Sequence, residues 1–129
     1  MSPHDLPSDQ QARCRERLNQ EQSASLAQTA HWQHVDRAQV HADWDRLYQD
    51  LARHVDTCAA DDPQVQALIG QHYAIACRFY TPSREAYLGM ALFYGENADM
   101  ATFHNGYHPH MVDFIGRAIY QYAQHHLPA

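Results

Sequence analysis

The chain has 129 residues, nine basic side chains against 15 acidic ones, and a formal charge of −6 with histidine neutral. That length fits one domain, and the acidic balance excludes the basic stripe needed for direct nucleic-acid binding. No window approaches the roughly 18 apolar residues of a membrane span.

The start, MSPHDLPSDQ, has neither a basic n-region nor an apolar h-region. Cys14, Cys58 and Cys77 form no CxxC pair, so neither a zinc ribbon nor a disulfide framework is indicated. A reduced, cytoplasmic protein is expected. All nine basic residues are arginine.

Residues 1–30 are polar, with few large apolar side chains beyond Leu6, Leu18 and Leu26. Propensity allows a helix over 9–22, but with little apolar face to bury. The segment is expected to be a soft arm, ordered by a ligand or partner.

From about Ala38 to Cys58, Val40, Trp44, Leu47, Tyr48, Leu51, Val55 and Cys58 make one helical stripe. The turn AADDP follows, with Asp62 as N-cap and Pro63 at the first helical position. A second helix, about 63–79, carries Val65, Leu68, Ile69, His72, Ile75 and Phe79 on one face. Tyr80-Thr81-Pro82 ends it, because the residue before proline is pushed out of the helical basin.

Thr81 is the expected cap of a third helix over roughly 82–95, with Glu85 at the positive end of its dipole. Tyr87, Met90, Ala91 and Tyr94 share one of its faces. A short helix over about 98–104 bears Met100 and Phe103. The last, about 109–126, buries Met111, Val112, Ile115, Ile119 and Tyr122. The expected fold is therefore an all-α bundle of about five helices, with short turns that place successive helices side by side.

Eleven histidines invite a metal site. His31-x-x-His34, His108-Pro109-His110 and His125-His126 bring no HExxH pattern and no cysteine at ligand spacing, so no metal or cofactor is expected. Cys77 has no histidine partner for nucleophilic work, and Glu85 and Asp113 are explained by capping or solvation. The chain is therefore not expected to be an enzyme.

The rings call for more explanation. Trp44, Tyr48, Tyr73, Phe79, Tyr80, Tyr87, Tyr94, Phe103 and Tyr107 exceed what a helical core of this size needs, and buried tyrosine hydroxyls require partners. They suit the wall of a cleft for a large, flat, partly polar guest, with His72 and Arg84 as polar anchors.

The run HYAIACRFYTPSREAYLGMALFYGENADMATFHNGYHPHMVDFIGRAIYQYA resembles the TipA-type antibiotic-recognition domain. That domain is the effector-binding part of MerR-family transcription regulators and also occurs in stand-alone drug-binding proteins such as the albicidin-resistance protein. The resemblance covers about residues 38–126. It is most specific at His72 with RFY (78–80), at LGMALFY (88–94) and at DFIGRAIYQYA (113–123).

It implies a globin-like bundle around a deep cleft, an N-terminal portion that orders on ligand, and thiopeptide- or albicidin-like guests. The expected division is a lid or arm over 1–30 and the binding domain over 31–129. Where the family's thiopeptide sensor carries a ligand-capturing cysteine, Gly89 stands here, so binding is expected to be non-covalent. No helix-turn-helix precedes the domain, which leaves a stand-alone sequestering protein or the effector part of a longer regulator.

The expected ligand-binding set is Trp44, Tyr48, His72, Phe79, Tyr80, Arg84, Tyr87, Tyr94, Phe103 and Tyr107. Two other readings remain. One is a protein-interaction module with an exposed apolar groove. The other is a heme or metal sensor built on His72 or on His104, His108 and His110.

Overall fold

The structure, a computed structural model, describes residues 1–129 and contains helices without strands. A 3-10 turn (Pro3–Asp5) precedes α1 (Ser8–Gln28), α2 (Arg37–Ala52), α3 (Pro63–Ala76), α4 (Arg84–Glu96), α5 (Ala98–Asn105) and α6 (Met111–His126). The all-α expectation holds.

The starts of the helices follow from capping chemistry. Asp36, Asp62 and Asn97 accept from backbone N–H groups two or three residues on, and Pro63 opens α3. The start of α4 differs from the Thr81 cap read from sequence. Ser83 takes that role, its Oγ accepting from Ala86 N at 3.2 Å. Pro82 is buried and its carbonyl accepts from the Tyr73 hydroxyl at 2.5 Å, so the helix starts two residues later than the proline rule alone implies.

Both α2 and α3 also stop short of the expected ends. Their last turns tighten to three-residue spacing, with Arg53 N bonded to Asp50 O and Arg78 N bonded to Ile75 O. The carbonyls of Arg78 and Phe79, left over at the end of α3, accept from His34 Nε2 at 3.0 and 3.1 Å.

The core gathers Leu47 and Leu51 from α2, Val65 and Ile69 from α3, Leu88 and Leu92 from α4, and Phe114, Ile115 and Ile119 from α6. Helix α6 lies across α3 and α4, and α2 covers the other side of α3.

Helix α1 is longer than the 9–22 segment read from propensity, and it packs lengthwise on α4. It buries only Cys14, Leu18 and Ser25. Its seat is made by Gly89 on α4, where an added Cβ would lie 2.3 Å from the Cys14 carbonyl oxygen and 3.1 Å from Leu18 Cβ. Two helix backbones touch there because one of them has no side chain.

Polar ties reinforce the seat. Arg15 pairs with Glu96, and Glu21 Oε1 accepts from Ser83 N at 3.0 Å, a carboxylate from α1 closing the positive end of α4. Exposed pairs of this kind contribute about 0–1 kcal/mol each, so the close approach at Gly89 matters more.

Between α1 and α2 the chain does something rare. Ala30, His31 and Trp32 have φ of 50°, 60° and 62°. Three consecutive non-glycine residues in the left-handed region cost roughly 1–2 kcal/mol each.

Gly89→Ala is expected to lower stability to urea by about 1–3 kcal/mol by lifting α1 off α4. Gly116→Ala is the control, since a Cβ there meets nothing within 4 Å. It should be neutral or stabilising by about 0.5–1 kcal/mol, as alanine is the better helix residue. Equal losses in the two variants would contradict this account of the α1 seat.

Candidate ligand cleft

Four helices supply the polar interior. His104 on α5 is fully buried, and its Nδ1 lies 2.7 Å from the Met100 carbonyl. A carbonyl only accepts, so Nδ1 carries the proton and Nε2 of the neutral ring accepts. Its donor is the Tyr48 hydroxyl, at 3.1 Å. With that proton committed, the Tyr48 oxygen accepts from His72 Nε2 at 3.2 Å, and His72 Nδ1 accepts from the Tyr87 hydroxyl at 2.9 Å.

The result is a chain with one direction, Tyr87 to His72 to Tyr48 to His104 to the Met100 carbonyl. Both tautomers follow from the one group that cannot donate.

Burial, with His104 as a smaller cause, holds the His72 pKa down at about 3. Burial likewise lowers His104, against a small opposing effect of its bond to Met100. It pushes Tyr48 and Tyr87 well above the ordinary tyrosine range. All four side chains are thus neutral at pH 7, as the hydrogen-bond chain requires. Both His72 nitrogens are engaged by tyrosine hydroxyls.

In front of this network lies a cleft of about 310 Å³ between α1 and the α2–α3–α4 face. Trp44, Phe79 and Tyr94 form its ring-faced wall; Met90, Met100 and Phe93 extend it; Leu18, Asn19 and Gln22 of α1 close one side. Trp44 stacks on Phe79 at 5.9 Å and 14°. Trp32, from the left-handed turn, meets Phe79 edge-on at 4.9 Å and donates its indole N–H to Ser25 Oγ at 2.9 Å.

Tyr80 also lines the cleft. Its hydroxyl and the Trp44 indole nitrogen are enclosed and have no hydrogen-bond partner in the protein. An enclosed polar group without a partner costs about 1–3 kcal/mol.

Tyr80 faces a second hollow as well. This is a broad polar trough of about 1200 Å³ between α1, the start of α4 and the C-terminal residues. Arg13, Arg17, Glu21, Arg84 and Glu85 line it. Arg84 is bonded to Gln124 and has no carboxylate partner, whereas Arg17 holds Glu21 at 2.7 Å.

Of the ten residues singled out from sequence, Trp44, Phe79, Tyr80 and Tyr94 come together on the small cleft, and Arg84 lies on the trough. Tyr48, His72 and Tyr87 are behind the wall, 0–2% exposed. Phe103 and Tyr107 pack on Tyr48 and line neither hollow; Phe103 is exposed, and Tyr107 donates to Asp45 Oδ1 at 2.6 Å.

The sequence reading passed over Trp32, Met90, Met100, Phe93 and Leu18 as wall residues. A tryptophan directly after the polar 1–30 segment is the available signal for Trp32. No group of three or more His, Cys, Asp or Glu side chains is arranged to hold a metal ion, and no helix is long and apolar enough to cross a membrane.

A helical bundle with a ring-faced hollow beside a polar network has the architecture of a small-molecule-binding domain. The family model of the TipAS antibiotic-recognition domain matches residues 11–122, and the chain belongs to that family. The match begins inside α1 and so includes the helix that closes the cleft. Comparisons with curated proteins and with solved structures found no match. Membership implies antibiotic recognition or effector binding, and the family is a ligand-binding rather than a catalytic one.

The pH dependence of folding follows from the network. The folded His72 pKa, about 3, lies below the reference 6.5, so the unfolded chain binds more protons between those values. Stability from this group is complete above about pH 6.5 and is lost as pH falls toward 3. His104 acts with the same sign. Urea unfolding at pH 7 and pH 5 should show the loss, and His72→Gln should flatten it; an unchanged slope in the variant would remove His72 as its source.

Proposed function

We propose that the protein binds large hydrophobic or aromatic antibiotics, thiopeptide- or albicidin-like, without forming a covalent bond. The guest lies in the ring-faced cleft, and its polar parts extend past Tyr80 toward Arg84. Resistance by sequestration and effector sensing for a transcription regulator are both served by this one act of binding. Family membership supports the ligand class, and the geometry of the cleft supports the site.

The observation that carries the reading is that two residues lining the cleft, Trp44 and Tyr80, each hold an enclosed donor without a partner, Nε1–H and O–H. Apolar hollows alone are common, but such donors are a standing cost, and a guest bearing carbonyl or azole acceptors removes it once its entry shifts either ring. His72, Tyr48 and Tyr87 act behind the wall by fixing Trp44 and Tyr94, which lie 5.9 and 6.1 Å from the His72 ring.

Non-covalent binding is supported by the state of the thiols. Cys14 is 3% exposed, and its pKa is raised by burial first and by the Glu85 charge second. Cys77 is also raised by burial. A thiol held protonated is a poor nucleophile. Helix α1 is the lid in this reading, a mostly polar helix that closes over the guest and slows its escape.

Titration with a panel of thiopeptides and oligoaromatic antibiotics tests the reading through tryptophan emission and melting temperature. At least one compound should change the emission and stabilise the fold by about 2.7 kcal/mol at a hundredfold excess over Kd. Trp44→Ala should weaken that compound at least about tenfold, as expected for a central ring anchor. Mass spectrometry after denaturation should return the unmodified chain. A flat response across the panel overturns the proposal, and a covalent adduct overturns its non-covalent part.

A further inference from the structure

The cleft is small for the guests just described. Pockets for drug-sized ligands run from roughly 300 to 1,000 Å³, and this one, at about 310 Å³, is at the bottom of that range. A bulky guest therefore requires one wall to give way.

Most of the wall stands on helix with ordinary backbone: Trp44 on α2, Ala76 on α3, and Met90 and Tyr94 on α4. Trp32 alone among the lining residues stands on a left-handed backbone, the last of three such residues in a row. Strain of this kind persists only where the surroundings hold it, and it is concentrated at sites that switch.

What holds the turn can be named. The Trp32 indole rests edge-on against Phe79, and its N–H donates to Ser25 Oγ. Its backbone N–H donates to Thr29 Oγ1 at 3.1 Å, and Arg37 reaches the His31 carbonyl at 2.9 Å. The backbone adds His31 N–H to the Leu26 carbonyl, Gln33 N–H to the Thr29 carbonyl and Val35 N–H to the Trp32 carbonyl. Two of these ties belong to the indole, and they are the ones that hold the side chain in the cleft. If the indole leaves, the turn loses both, and less opposes its relaxation toward ordinary dihedrals.

We propose that Trp32 is a displaceable plug, an internal stand-in for the guest that rests on the Phe79–Trp44 stack and must be expelled for a large ring system to enter. The proposal rests on reading the ring-faced cleft as the ligand site. Trp32 then determines specificity by size. A guest whose contacts with Phe79 and Trp44 exceed those of one indole displaces the plug and releases the strain, whereas a smaller one is refused.

The affinity observed is the intrinsic affinity scaled by the fraction of molecules with the plug out. Two classes of substitution should therefore act in opposite directions. Trp32→Ala removes the competitor and should tighten binding. The double variant Ala30→Gly with His31→Gly lets the turn hold its shape without strain, keeps the plug seated and should weaken binding, even as it raises the melting temperature.

The test uses the full chain labelled with 5-fluorotryptophan and 1-anilinonaphthalene-8-sulfonate as the probe guest. Binding is read from the fluorine resonance of Trp44, so dye bound elsewhere counts as no occupancy of the cleft. In the wild type the dye should shift the Trp44 resonance and move the Trp32 resonance to its solvent-exposed position. Trp32→Ala should bind the dye about tenfold more tightly, and the double glycine variant about tenfold more weakly.

Binding by Trp32→Ala that is equal to or weaker than wild type makes Trp32 a fixed wall and overturns the plug while leaving the cleft in place. Unchanged affinity in a stabilised double glycine variant overturns it as well. A Trp44 resonance that no dye concentration moves, in wild type or Trp32→Ala, overturns the plug together with the cleft reading beneath it.

Discussion

One missing side chain organises the molecule. At Gly89 the α4 backbone meets the α1 backbone so closely that even a methyl group would collide with the Cys14 carbonyl. Helix α1 has little apolar surface with which to hold a place, so its place is set by shape. With α1 seated, Leu18, Asn19 and Gln22 face the small cleft, while Arg13, Arg17 and Glu21 face the trough. Both hollows exist because the helix on one side of each can lie this near.

That core is polar to an unusual degree for so short a chain. The hydrogen-bonded run from Tyr87 to Met100 joins α4, α3, α2 and α5. Each link is satisfied, so the desolvation of four polar side chains is compensated, and the direction of every proton is fixed. Leucine and isoleucine could fill the same space but would leave the Trp44 and Tyr94 rings free to shift. A fully bonded network gives the cleft a fixed back on one side, opposite α1.

The sequence disclosed the helical body well because its signals are local. Asp62-Pro63 marks the start of α3, the stripe from Val40 to Leu51 marks α2, and the RFY and LGMALFY motifs carry the family likeness. The trends that failed were also local. Ser83 supersedes Thr81 as a cap because Tyr73, nine residues earlier, holds Pro82. The extent of α1 was hidden, since its partner is a glycine more than 60 residues away and no apolar stripe announces it. The partners of His72 lie 15 and 24 residues distant, and His104 joins through a tyrosine 56 residues before it. Nothing in spacing could pair them, nor could it place Tyr48 and Tyr87 behind the wall rather than on it. The left-handed Ala30-His31-Trp32 turn contains no glycine or asparagine and gives no sign of itself in sequence.

His34 carries a further consequence. It follows the left-handed turn by two residues, and its ring holds the two free carbonyls at the end of α3, immediately before Tyr80. The strand of chain that bears the indole is therefore yoked to the segment that bears the phenol shared by both hollows. One imidazole thus joins the two sides of the mouth of the cleft, so displacing either side loads the same pair of hydrogen bonds.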